Sequence, residues 1–340
     1  MNLLAHHKRV SRALPNTKFC PENSYCMPIS SCPILKEIIK NECVISNRVS
    51  SLGCGYQGSG LVCCPQISEA TSVNHDKLVD GQLCGQSAIQ GQDYDGIGAY
   101  PWAVRIGFKN VINGEVKYPC TGSIINKRVI LTAAHCALAK ADNYKLYNVR
   151  IGEYSTDTDI DCGEEFCGLP VQDIQISHVV VHPGYEKRKY KNNIALIVLR
   201  SPLNYTVTAQ PICLPESWSI TNNNGILVGW GKSASQSEAS VHQQILHLPI
   251  VNLKKCSNVY GNTLPITEQN VCAGGEKGND ACSGFGGAPL LVQHGAYYYQ
   301  VGILSFGSDQ CGAQGVPSVY TNIKKYVNWI KENSPVIYNN

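Results

Sequence analysis

No stretch of this 340-residue chain holds the roughly 20 consecutive apolar residues that a helix needs to cross a bilayer, so no membrane span is read from it. Charge is sparse too. Only 16% of residues are charged and the net charge is +3, too small an excess to indicate a nucleic-acid partner. The opening Met1-Asn2-Leu3-Leu4-Ala5-His6-His7 lacks the apolar core of a secretory signal. The expectation is a chain that starts after such a signal, or partway into the mature protein.

Cysteine, by contrast, is plentiful. There are 17, an odd number, so at least one cannot pair within the chain. Disulfides persist in oxidising compartments, and the protein is therefore expected to be secreted and extracellular. Seven cysteines (Cys20, Cys26, Cys32, Cys43, Cys54, Cys63 and Cys64) crowd into a span with little aliphatic material. So small a unit needs covalent staples to hold a fold. Residues 66–80 are polar and aperiodic and read as a linker.

From about Cys84 onward, short β-rich runs recur between Gly, Pro and Asn: Trp102 to Ile106, Val129 to Leu131, Val179 to Val181, Ala195 to Leu199, Ile226 to Val228 and Gln300 to Leu304. Many short strands with turn signals between them predict an all-β barrel or sandwich. Ile323, Val327 and Ile330 share one face at helical spacing and predict a closing amphipathic helix.

Several motifs stand in a telling order: Thr132-Ala133-Ala134-His135-Cys136, Tyr100-Pro101-Trp102, His182-Pro183-Gly184-Tyr185, Pro211-Ile212-Cys213-Leu214-Pro215, Gly229-Trp230-Gly231 and Pro317-Ser318-Val319-Tyr320-Thr321. Together they resemble the chymotrypsin–trypsin family over roughly residues 85–335. The resemblance implies two six-stranded β-barrels with a site between them. It also implies a Ser-His-Asp relay, in which the serine attacks, the histidine takes its proton and the aspartate fixes the histidine's tautomer.

His135 matches the histidine. The aspartate position reads Asn193, before Ile194-Ala195-Leu196, and the nucleophile position reads Gly286, in Gly284-Phe285-Gly286-Gly287-Ala288-Pro289. Losing the aspartate costs about 10⁴-fold in kcat, and losing the serine on the order of 10⁶-fold. No Ile-Val-Gly-Gly activation sequence precedes Tyr100, and the acid with which its freed terminus would pair is Phe285. The chain is accordingly expected not to be an enzyme, with His135 retained because it fills the cleft. Asp280, Gly307 and Gly315 match the family's pocket for basic side chains and read as a relic of ancestry, the alternative being a retained pocket that binds such a side chain without cutting.

The cysteine spacing of residues 20–64, ending in the vicinal Cys63-Cys64-Pro65, resembles the clip domain of arthropod proteases. The implied organisation is a tail (1–19), a clip domain (20–65), a linker (66–90) and a trypsin-like domain (91–335). The implied pairing is Cys20–Cys63, Cys26–Cys54 and Cys32–Cys64 in the clip. In the large domain it is Cys120–Cys136, Cys256–Cys272 and Cys282–Cys311, with Cys84–Cys213 tying in the linker and Cys162–Cys167 closing a small loop. Cys43 is left over.

A clip domain beside a trypsin-like domain without its nucleophile resembles the clip-domain serine protease homologs. Membership implies a cofactor for the activation of prophenoloxidase in haemolymph melanisation, with prophenoloxidase and an upstream trypsin-like clip protease as partners. Recognition of microbial surfaces is the alternative role in the family.

Four lesser signals remain. The run from Glu153 through Ser155 and Thr158 to Asp161 stands where the family carries a Ca2+ loop, the alternative being a solvated acidic loop. Lys187-Arg188-Lys189-Tyr190-Lys191 is either a solvated basic loop or a rim that meets an acidic partner. Asn204-Tyr205-Thr206 is a glycosylation sequon. Arg9 and Arg12 lie in a polar terminal stretch that reads either as a cleavage site, with self-association following the cut, or as an ordinary disordered tail.

Overall fold

The structure is a computed structural model that describes residues 24–28, 31–32, 53–56, 60–65, 78–79, 82–87, 95–141, 143–163, 167–215, 224–261, 263–295, 297–307 and 311–335. Near the amino terminus, β1 (Ser24–Pro28), β2 (Gly53–Tyr56) and β3 (Gly60–Pro65) form a three-stranded antiparallel sheet in the order β1-β3-β2. In that region Cys32 is buried and disulfide-bonded. The three clip pairings, Cys43, Arg9 and Arg12 otherwise fall outside the described residues. Leu78–Val79 and Gln82–Leu83 pair as a short ribbon, β4 and β5.

Twelve strands then close into two antiparallel barrels. The first contains β6 (Ala103–Asn110), β7 (Val116–Asn126), β8 (Val129–Thr132), β9 (Tyr144–Ile151), β10 (Gln172–Val181) and β11 (Ala195–Leu199). The second contains β12 (Asn224–Gly229), β13 (Gln244–Val251), β14 (Asn270–Gly274), β15 (Pro289–His294), β16 (Tyr297–Phe306) and β17 (Pro317–Asn322). Closure leaves neither sheet with an open edge. The predicted all-β, trypsin-like double barrel is what forms.

The burial pattern explains why these runs sit where they do. The outer half of β7 alternates between exposed and half-buried residues, whereas its inner half, Cys120 to Ile125, is wholly buried. All five residues of β11 are buried, as an unbroken apolar run requires. One apolar cluster joins the barrels: Trp102, Leu131 and Leu196 from the first pack with Val228, Leu291 and Ile303 from the second.

The chain's end seals the same cluster with Ile323, Val327 and Ile330. The single predicted helix is divided there into a 3₁₀ turn (Ile323–Lys325) and an α-helix (Val327–Asn333), with its three apolar residues still on one buried side.

Five disulfides are formed among the described residues: Cys84–Cys213, Cys120–Cys136, Cys162–Cys167, Cys256–Cys272 and Cys282–Cys311. The first anchors the segment entering the barrels. Beside it the Gly85 N–H donates to the Pro211 carbonyl, and its own carbonyl accepts from Tyr298 N–H, both at 2.7 Å. Gly85 lies at φ +65°, and a Cβ there would sit 2.1 Å from the Tyr298 carbonyl oxygen, so only glycine fits.

Candidate functional site

The four-residue helix Ala134–Ala137 follows β8 and sets His135 between the barrels, with Cys136 tied to Cys120 of β7. Asn193, immediately before β11, is fully buried beneath it. The His135 backbone N–H donates to Asn193 Oδ1 at 3.0 Å, and this fixes which way the amide faces. Its Nδ2 therefore donates to His135 Nδ1 (2.9 Å) and to Ser305 Oγ (2.7 Å). A ring nitrogen that accepts an amide N–H bears no proton itself, so the proton of neutral His135 resides on Nε2. An aspartate would accept from Nδ1–H and leave Nε2 bare as a base, which is the reverse arrangement. Burial lowers the His135 pKa and keeps the ring neutral.

The 284–287 loop lies opposite. Thr121 N–H donates to the Gly286 carbonyl and Gly287 N–H to the Leu304 carbonyl, so the loop is held by both barrels. A Cβ on Gly286 would stand 2.8 Å from His135 Nε2, with the sulfurs of Cys136 and Cys120 at 3.3 and 3.6 Å. The position facing Nε2 thus carries no side chain, and the ring has drawn close to the backbone.

Phe285 is fully buried against Gly229 and Gly231. A Cβ on Gly231 would come within 2.2 Å of the Phe285 ring, so glycine at 231 is what admits the aromatic. The ring joins Leu227, Ala288, Leu290 and Tyr320 in the second barrel's core.

Asp280 is almost fully buried. Its Oδ1 accepts from Ala281 N–H and Ser318 Oγ, both at 2.8 Å. Burial raises its pKa above the usual carboxylate range, against the opposing pull of those donors. Gly307 adjoins Ser318, where an added Cβ would meet Oγ at 2.9 Å, and Gly315 opens on free space at φ +81°.

Tyr190, inside the basic run, stands edge-on to His135 (ring centroids 6.1 Å) and tilted on Phe306 (5.1 Å), covering the histidine. Glu186 pairs with Lys189 and Lys191, whereas Lys187 and Arg188 are exposed and have no ion-pair partner among the described residues. Tyr190, Ser305 and Phe306 were not singled out from sequence. Periodicity carries no mark of them, and the aromatic inside the cationic run was the sole available clue.

The acidic loop closes on Asp161, which accepts from Tyr154 N–H, Ser155 N–H and Thr158 Oγ1 at 2.8, 3.0 and 2.6 Å. Glu153 Oε2 lies 3.5 Å from Arg150 and 3.7 Å from Arg105. Its Oε1 is buried with no partner among the described residues, and the carboxyl is pushed up to about 7 by burial and then by Asp161. A cavity of about 10 Å³, room for one water or one ion, adjoins Glu153. Of the four residues expected to hold Ca2+, only Glu153 lines this space, where its orphaned oxygen suits an oxygen-liganded cation; Ser155, Thr158 and Asp161 do not line it, and Asp161 is engaged by its three donors. Asn204 is exposed, and its backbone is held by Gln172 through two hydrogen bonds.

The two-barrel site has its counterpart in a family model described as Trypsin, which matches residues 89–330. The chain belongs to the trypsin family. Within that family it is similar to CLIP domain-containing serine protease B4 of Anopheles gambiae, at 38% identity over 293 residues, covering 82% of this chain and 80% of the relative. It is 34% identical to Phenoloxidase-activating factor 3 of Holotrichia diomphalia, with 92% and 91% of the two chains covered. Phenoloxidase-activating factor 1 of the same species is 33% identical at the same coverage. These relatives place this trypsin-family member among the clip-domain serine proteases. No described helix is long and apolar enough to cross a membrane.

Proposed function

We propose that this trypsin-family protein does not cut peptide bonds but acts as a cofactor in the proteolytic activation of prophenoloxidase, in the melanisation cascade of insect haemolymph. The observation that carries the reading is Gly286 facing His135 Nε2, where a nucleophile's side chain would have to stand. The reversed histidine tautomer supports it, because a protonated Nε2 cannot accept the proton that nucleophilic attack releases. Relatives named phenoloxidase-activating factors supply the cascade. The five disulfides accord with an extracellular setting.

On this reading the clip unit spans residues 20–65 and the protease-like unit 91–335, and the partners are prophenoloxidase and a catalytically active clip protease. Cleavage after Arg9 or Arg12 precedes self-association, Asn204 carries a glycan, and Glu153 and Asp161 hold a structural Ca2+ with carbonyls of Ser155 and Thr158.

The test is reconstitution of phenoloxidase activity from prophenoloxidase and its activating protease, with and without this chain. Stimulation by a preparation that takes no fluorophosphonate label supports the reading. Labelling at a residue of the large domain overturns the non-catalytic part. A lack of stimulation together with capture on microbial polysaccharide turns the assignment to surface recognition.

A further inference from the structure

The hairpin that joins β6 to β7 turns on apolar residues, where turns ordinarily place polar ones. Val111 and Ile112 are 58% and 75% exposed, the most exposed large apolar side chains among the described residues. Residues 111–115 are all exposed, so the turn is a projecting tip with no walls to enclose a partner's side chain.

Looseness does not account for the exposed pair, because five consecutive N–H groups at the tip have acceptors. Val111 donates to the Asn143 carbonyl at 2.7 Å and Gly114 to the Asn110 carbonyl at 3.0 Å. Ile112 and Asn113 donate to Asn110 Oδ1 at 2.8 and 3.4 Å, and Glu115 donates to Asn113 Oδ1 at 3.0 Å. A turn that satisfies its own donors can leave water without stranding them, which is the condition for entering the acyl boundary of a bilayer.

Cations stand directly behind the tip. Lys109 of β6 lies opposite Lys145 of β9, and no carboxylate pairs with either among the described residues. Like charges facing one another across two strands destabilise the pair, and an anion held by both relieves the repulsion. Lys109 Nζ sits 4.8 Å above the Tyr147 ring, and Lys117 Nζ sits 5.2 Å from the Tyr144 ring. Glu115, the acid of the tip, is already engaged by Lys117 and by the Tyr144 hydroxyl. An apolar pair outermost, with tyrosines and lysines behind it, matches the layering of a bilayer from hydrocarbon to interface to charged headgroup.

We propose that this tip anchors the protein to anionic phospholipid surfaces. Val111 and Ile112 enter the acyl boundary, and Lys109 and Lys145 take lipid phosphates. Cations alone would suit any polyanion; the apolar pair ahead of them selects one whose charge lies over hydrocarbon. A single tip with two lysines gives weak, reversible attachment. The anchor goes beyond the cofactor reading and does not depend on it.

The test mixes the full chain with sucrose-loaded vesicles of phosphatidylcholine, alone or blended with phosphatidylglycerol, and reads the bound fraction by sedimentation. Binding is expected on the blended vesicles only and is expected to weaken as salt is added. The double variants Val111→Ser with Ile112→Ser, and Lys109→Gln with Lys145→Gln, are each expected to bind about tenfold or more weakly. Melting temperature checks that both fold. Ile112→Trp reads insertion directly: its emission is expected to shift to the blue on blended vesicles and not on phosphatidylcholine.

Failure of the wild type to bind the blended vesicles overturns the anchor. So does serine-variant binding equal to wild type, since that leaves only general attraction to a polyanion. Loss of cofactor stimulation in the serine variant without vesicles, its vesicle binding intact, makes the tip a protein contact instead.

Discussion

Asn193 grips His135 at two points: its Oδ1 accepts the histidine's backbone N–H at 3.0 Å while its Nδ2 donates to the ring's Nδ1 at 2.9 Å. The first contact sets the amide's direction, and the second thereby sets the position of the ring proton. An exchange of one oxygen for one NH2 group at a buried position has turned a proton acceptor into a donor.

Catalysis is therefore blocked twice at this one histidine. Peptide esters and amides are expected to show no turnover above buffer. Gly286→Ser alone is expected to stay inactive, because its Cβ would crowd Nε2 at 2.8 Å and Nε2 already bears a proton. Recovery of ester hydrolysis in that single variant to within about 10⁴-fold of a working trypsin-like enzyme would refute the block imposed by Asn193.

The burial of the His135 ring has a signature in acid. The folded His135 pKa is depressed below the ordinary 6.5, so as pH falls through about 6.5 the unfolded chain takes up a proton that the folded one refuses. The stabilising contribution is fully present above pH 6.5 and is lost as pH drops toward the folded-state value. Comparing urea midpoints of wild type and His135→Gln at pH 7.5 and pH 5.5 isolates it. The gap between the two proteins is expected to shift in favour of the variant at the lower pH, and a constant gap would exclude the effect.

Phe285 fills a place in the second barrel's core, beside glycines that leave room for nothing larger. Phe285→Ala is expected to cost about 3–5 kcal/mol, as for other buried aromatics. Phe285→Asp should cost at least as much, because it buries a carboxylate with no cation to meet it. Thermal unfolding measures both. An aspartate variant as stable as wild type would mean that a cation reaches this pocket.

Calcium is expected to raise the melting temperature through Glu153, whose buried Oε1 has no partner among the described residues. Glu153→Ala should abolish the shift while leaving the Asp161 hydrogen bonds in place. An equal shift in the variant would exclude Glu153 as a ligand.

Much of this was legible in the sequence, and the reason is physical. Strands such as Ala195–Leu199 are unbroken apolar runs, and such runs have few places to go except a barrel interior. Cysteine-flanked motifs fixed the register around His135 and Asp280, so Gly286 and Asn193 were identifiable as departures. The direction of the Asn193 amide was not legible, because it depends on a backbone N–H 58 residues away. The cover that Tyr190 lays over His135 was hidden for a similar reason: it depends on a loop turn with φ +50° at a non-glycine residue. The two arginines facing Glu153 lie on β6 and β9, neighbouring strands whose register no local pattern announces.

The Cys84–Cys213 bridge spans 129 residues and joins the segment ahead of the barrels to the entrance of the second one. A protease that nicks the chain anywhere between Gly85 and Tyr100 therefore makes two polypeptides but only one molecule. The amino-terminal piece remains covalently leashed to the body from which it was cut, visible as a second band only after reduction. A signal carried by that piece would stay at the body's surface at a fixed, high local concentration and could not diffuse away.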